Sequence, residues 1–185
     1  MNSRDLLKKL KENNLGVFTA KDLEVLLQKK PYNVLKTLKK QKEIFPIKKG
    51  VYSLQNVDDR VVATRIIEPS YISFLSALNY YNLTDQMPVK IQLITTKRKK
   101  HKNFDFTTIK KDLFFGYTNV KGIVIAEKEK AVIDCLYLPK KARGSSAIKD
   151  IIINNIGELD IRKLKKYASK DKLIKKRLQE VLDDN

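Results

Sequence analysis

The chain has 185 residues, 42% of them hydrophobic and 32% charged, and its 39 lysines and arginines outnumber 21 acidic residues to give a formal net charge of +18. There is enough apolar material for a packed core, so wholesale disorder is excluded. The charge points to a polyanionic partner, nucleic acid first, with a lysine-rich solvated surface as the plainer reading. No apolar run approaches the roughly 20 residues needed to span a bilayer, the N-terminus has no apolar signal segment, and one cysteine with one histidine builds neither an internal disulfide nor a zinc site. The expectation is a cytoplasmic protein with no membrane, metal or cofactor.

The basic excess is spread along the chain, with no acidic half and no detachable basic tail. Faces of folded elements must therefore present it. Ser3 can cap a first helix with Leu6, Leu7 and Leu10 on one side, ending at Asn13-Asn14-Leu15-Gly16. Thr19 opens a second helix, because Thr19 and Asp22 have capping-box spacing, and Leu23, Leu26 and Leu27 give that helix its apolar face. Lys29-Lys30-Pro31 is a break, and Pro31 suits the first position of a third helix running to about Glu43.

At 100° per residue, Val34, Leu35 and Leu38 of this third helix fall on one face. The opposite face carries Asn33, Lys36 and Lys40, flanked by Tyr32, Thr37 and Lys39. Lysines neutralise phosphates, and Asn and Tyr reach base edges or phosphates, so this face suits a major groove; an ordinary solvated helix face has the same pattern. Ile44 to Lys48 then reads as a strand, Lys49-Gly50 as a tight turn, and Val51 to Leu54 as the return strand, with Tyr52 and Leu54 inward. Three short helices followed by a hairpin with Lys48 and Lys49 at its tip describe a winged helix-turn-helix. The same fold also serves as a protein-interaction module.

Gln55 to Asp59 is polar and reads as a linker, followed by a short apolar segment, Val61 to Ile67, that ends at Glu68-Pro69. Ser70 is the expected cap of a helix from Tyr71 to Tyr81, closed at Asn82-Leu83. Val89 to Thr96 alternates as a strand. Lys97, Arg98, Lys99, Lys100, His101 and Lys102 follow as the densest charge run, either a second basic surface or a solvated hairpin loop blunting an edge. Phe104-Asp105-Phe106, Leu113 to Tyr117 and Gly122 to Ile125 read as further strands or strand ends. Glu127 to Tyr137 is a helix with Asp134 among apolar residues, where the carboxylate is expected to accept from a neighbouring backbone N–H, since an unpaired buried charge is too costly. Cys135 is expected as a small core residue. A basic turn follows Pro139, and three helical stretches finish the chain: Ala147–Ile156, Ile161–Ala168 with Asp160 as cap, and Lys170–Leu182 with Ser169 as cap.

Catalytic signatures are missing. The sequence has no Gly-rich phosphate loop and no Gly-x-Ser-x-Gly, and no acidic residue is followed two positions later by Lys. The expectation is a protein without enzymatic activity. RNA binding is a rival on charge alone, but Phe74, Phe104, Phe106 and Tyr137 alternate with apolar residues as core positions do, not as exposed stacking platforms.

Several segments resemble the AbiE-type antitoxin family of type IV toxin–antitoxin systems. They are Phe18 to Leu23, Gly50-Val51-Tyr52, Pro69 to Ser73 with Ser76-Ala77-Leu78, the strand ending Thr95-Thr96, Ile125 to Asp134, and Leu159 to Ala168. Asn82 stands where that family often has Gly, and Lys130 where it often has Arg. The resemblance implies an antitoxin that represses its own operon, with a nucleotidyltransferase-like toxin as partner; a stand-alone regulator of the same architecture is the alternative.

The expected fold class is α+β: a winged helix-turn-helix over 1–56, a connecting segment over 57–68, and a small α/β domain with a mixed sheet and terminal helices over 69–185. The expected contacts to double-stranded DNA, the operator of its own operon, are Thr19, Lys21, Tyr32, Asn33, Lys36, Thr37, Lys40, Lys48 and Lys49. Lys97, Arg98, Lys99, Lys100 and Lys102 form the second basic surface.

Overall fold

The computed structural model describes residues 3–13, 15–98 and 100–183. The Ser3 side chain expected as a cap, Asn14 and Lys99 lie outside the described residues. The chain is α+β and divides into two compact units, Met1–Ile66 and Ile67–Asn185.

Unit 1 runs α1 (Ser3–Glu12), β1 (Val17–Thr19), α2 (Ala20–Leu27), α3 (Tyr32–Lys40), β2 (Ile44–Lys48), β3 (Val51–Leu54) and α4 (Asp59–Ile66). Its three strands form an antiparallel sheet in the order β1-β3-β2. The expected capping box is present: the Asp22 N–H donates to Thr19 Oγ1 at 3.1 Å, and the Thr19 N–H donates to the Asp22 carboxylate at 2.7 Å. The apolar faces of the first three helices converge with the sheet, so that Leu6, Leu10, Phe18, Leu23, Leu35, Leu38, Ile44, Tyr52 and Leu54 make one core. Burying each such side chain contributes about 1.5–3 kcal/mol. β1 was not expected, because three residues are too few to show a period of two. The 57–68 segment, expected as a connection, is helical over Asp59–Ile66, with Ala63 buried against the unit. Thr19→Ala removes one half of the capping box and is expected to lower the thermal midpoint of unit 1, corresponding to about 1 kcal/mol by calorimetry.

Unit 2 runs β4 (Ser70–Ile72), α5 (Phe74–Tyr80), β5 (Gln92–Thr95), β6 (Asp105–Thr108), β7 (Tyr117–Val120), β8 (Ile123–Ala126), α6 (Lys128–Tyr137), α7 (Ser145–Asn154), α8 (Ile161–Ala168) and α9 (Lys172–Asp183). The five strands form one mixed sheet, β6-β5-β4-β8-β7. β5 and β6 are parallel, as are β4 and β8; the other neighbours are antiparallel.

Three expectations need correction. Residues 70–72 are not the start of a helix but the central strand, and Ser73 rather than Ser70 precedes α5. All three strand residues are buried, so no polar face alternates to mark them. The basic run after β5 is not a hairpin loop, because β5 and β6 run parallel and the connection must travel back along the sheet. Finally, α9 is capped by Asp171, whose Oδ1 accepts from the Leu173 and Ile174 N–H groups; Ser169 ends α8 instead. Asp160 caps α8 as expected, accepting from the Lys163 N–H at 3.0 Å. Asn82 takes the left-handed conformation at φ 58°, which Asn tolerates where Gly is otherwise favoured.

Candidate nucleic-acid interface

In α3, Leu35 and Leu38 enter the core, and this places Tyr32, Asn33, Lys36, Thr37 and Lys40 on the solvent side, all exposed. Tyr32 is 73% exposed. No hydrogen bond or ion pair joins the side chains of Lys36, Lys40 or Asn33 to another described residue. Thr37 differs: its hydroxyl donates to the Asn33 carbonyl at 3.0 Å, so its methyl is the outward group. Lys39, the flanking lysine, rests over the Tyr52 ring at 4.7 Å. α3 therefore offers two unpaired lysines, an amide, a phenol and a methyl on one face.

The hairpin turn lies beside the start of α2. Thr19 pairs with Val51, and the Ala20 N–H donates to the Gly50 carbonyl at 3.1 Å. Gly50 sits at φ +78°, a conformation other residues rarely take, so glycine suits the turn. This brings Lys21 and Lys49, both exposed, toward one edge. Thr19 is instead a structural cap, with its hydroxyl and backbone committed to Asp22. Lys48 does not stand free at the tip as expected. A bulge sets Lys48 rather than Ile47 opposite Val51, and its ammonium donates to the Ile66 carbonyl at 3.4 Å. An extra residue in a strand reverses which side chain takes each face, and short-range pattern does not reveal it.

In unit 2 the second basic surface is only partly free. The Lys97 ammonium donates to the Glu68 carbonyl, and the Lys102 carbonyl accepts from Lys90 at 2.7 Å. Arg98, Lys100 and Lys102 are exposed.

Asp134 has side-chain rather than backbone donors. It lies on α6, a helix enclosed by the sheet and the other helices, with Asp134 2% and Lys130 1% exposed. The Lys130 ammonium donates to Oδ1, and Ser73 (2.7 Å) and Tyr71 (3.2 Å) donate to Oδ2. Burial pushes the Asp134 carboxyl up, against the pull of Lys130, Ser73 and Tyr71. Burial, and then the charge of Asp134, hold the Tyr71 phenol far above its ordinary range, which keeps it a donor. Burial likewise raises the Cys135 thiol and keeps it protonated in the core.

At the N-terminal end of α6, Lys163 bridges Glu127 (3.2 Å) and Glu129 (3.1 Å), and the Tyr167 hydroxyl donates to Glu127 at 2.6 Å. Burial draws the Glu127 carboxyl upward, but the hydrogen bonds from Tyr167 and Lys163 and the lysine charge outweigh it, leaving the group below its ordinary value. A lowered folded pKa adds stability at neutral pH that is lost as pH falls from about 4.5 through the folded value. Acid titration of Glu127→Gln followed by circular dichroism is expected to show a flatter loss of stability than the parent.

No family model matches the chain, and no curated protein matches it. Among solved structures, the crystal structure of the RV2827C protein from Mycobacterium tuberculosis has a similar fold: TM-score 0.66, 12% sequence identity, covering 96% of this chain and 75% of that one. The similarity is one of fold. Among the described residues, no helix is long and apolar enough to cross a membrane, and no three His, Cys, Asp or Glu side chains group as a metal site.

Proposed function

We propose that the protein is a cytoplasmic DNA-binding regulator whose unit 1 acts as a winged helix, laying α3 in the major groove of duplex DNA with the hairpin against the backbone. The observation that carries this reading is the outward face of α3, where Asn33, Lys36 and Lys40 stand exposed without partners among the described residues. In this docking Lys36 and Lys40 meet phosphates, Asn33 meets a base edge, and Lys21 and Lys49 add backbone contacts. The Thr37 methyl suits contact with a thymine methyl. On the sequence resemblance described above, the regulator is an antitoxin that represses its own operon and counters a nucleotidyltransferase-like toxin.

Two experiments test this. Selection of duplexes from a random pool, followed by anisotropy titration, gives a preferred site; Asn33→Ala is then expected to relax preference at one base pair by about 1–3 kcal/mol. A protein that selects no duplex and prefers structured RNA at moderate salt refutes the proposal. Co-expression with the product of the adjacent gene tests the antitoxin role, which fails if growth is the same with and without this chain.

A further inference from the structure

The two terminal helices give unit 2 a strongly basic face. On α8, Arg162, Lys165 and Lys166 are spaced to share one side of the helix, and Lys172, Lys175 and Lys176 repeat that spacing on α9. All are exposed, as is Lys170 between the helices. The acidic residue among them, Asp171, is half-buried and caps α9. Of these cations only Lys176 has an acidic partner among the described residues, the exposed Glu180 at 3.8 Å. Like charges one helical turn apart repel, and a polyanion laid over the face relieves that cost. The apolar stripes of the same helices, Leu164 and Ala168 on α8 and Ile174, Leu178 and Val181 on α9, are buried, so neither helix has a face left to enter a bilayer.

An aromatic group on the sheet edge adjoins α8. Tyr167 of α8 meets Phe115 edge-on, with ring centroids 5.0 Å apart, and the Lys170 ammonium stands 4.8 Å over the Phe115 ring. Phe114 lies 5.2 Å from Tyr117, and Tyr117 stacks on the buried Tyr71 at 4.9 Å with 14° between planes. Tyr117 is 42% exposed, while Phe114, Phe115 and Tyr167 are half-buried. The carboxylates beside Tyr167, Glu127 and Glu129, are already bridged by Lys163. These rings reach the surface because β7 is an edge strand; the side of β7 away from β8 has no strand partner, and Thr118 and Asn119 are exposed there.

We infer that this surface of unit 2 binds single-stranded RNA. An unpaired base stacks on Tyr117 beside Phe114, and Lys170 with the α8 cations holds the phosphates that follow. Clustered lysines alone fit any polyanion, but a half-exposed ring group beside them fits one whose bases are open, which a duplex does not offer. The open edge of β7 presents both N–H and C=O groups, and the 2′-hydroxyl of RNA, donor and acceptor at once, matches both where DNA does not. The inference stands apart from the α3 reading, since every residue it uses lies in unit 2.

The test is an anisotropy titration of the full chain with a short labelled oligouridylate at about 0.1 M salt. Saturable binding is expected, with the oligodeoxyuridylate and an RNA duplex of the same length each weaker by about tenfold. Tyr117→Ala is expected to weaken binding by about tenfold, and Tyr117→Phe, which keeps the ring, to bind as the parent does. Lys166→Ala with Lys170→Ala is expected to flatten the dependence of log K on log salt by about 1.4 if each lysine meets one phosphate. Lys36→Ala with Lys40→Ala is expected to bind the RNA as the parent does, which separates this surface from α3. Absence of saturation, equal affinity for the deoxy strand or the duplex, full affinity in a folded Tyr117→Ala, an unchanged salt slope in the Lys166 and Lys170 variant, RNA binding lost with the α3 lysines, or binding to phosphatidylserine vesicles in place of RNA overturns the inference.

Discussion

Asp134→Ala is expected to lower the stability of unit 2 by about 3–5 kcal/mol, read from the urea midpoint by circular dichroism, because it leaves the Lys130 ammonium buried without its counter-charge. Lys130 is 1% exposed and cannot turn to water without opening α6. Its nearest alternative is the face of Phe115, 4.8 Å from the ammonium to the ring centroid, and a ring replaces only part of a carboxylate. The double variant Lys130→Met, Asp134→Leu is expected to recover much of the loss, since removing both charges removes the desolvation cost with them. It does not recover all of it, because the Ser73 and Tyr71 hydroxyls lose their acceptor. A single variant as stable as the parent would show that the pair is not formed. Gly116 bears on the same site: a Cβ there would meet Lys130 Cγ at 3.1 Å and Tyr167 at 3.2 Å, so the chain passes close by the lysine stem.

Lys36→Ala with Lys40→Ala is expected to reduce duplex affinity by about 60-fold at 0.1 M salt and to flatten the dependence of log K on log salt by about 1.8, if each lysine neutralises one phosphate. The loss should be similar on all sequences, since phosphate contacts carry no base information. Neither residue touches the core through its charged end, so the double variant is expected to melt with the parent. An unchanged salt slope in a folded double variant would move the DNA surface off α3. Lys48→Ala is a useful contrast, because its ammonium faces the Ile66 carbonyl and not the open edge.

What the chain carries in its local order is the set of features closed within a few residues. The Thr19–Asp22 box, the Asp160 cap and the polar face of α3 depend on hydrogen bonds or periodicities spanning three or four positions, the β2–β3 hairpin pairs residues no more than ten positions apart, and each is legible directly. The α+β class follows from the same local signals. Tertiary structure decided the rest. Ser70–Ile72 is a strand because β5 and β8 flank it, and its own residues, buried on both sides, look no different from a helix start. Asp134 finds its hydroxyl donors 61 and 63 residues away, and Lys48 finds a carbonyl 18 residues on. The basic run after β5 is a return connection and not a hairpin loop because β6 lies parallel to β5. Capping and amphipathicity are set by neighbours in the chain; strand partners, bulges and the pairing of buried charges are set by whichever distant segments packing brings alongside.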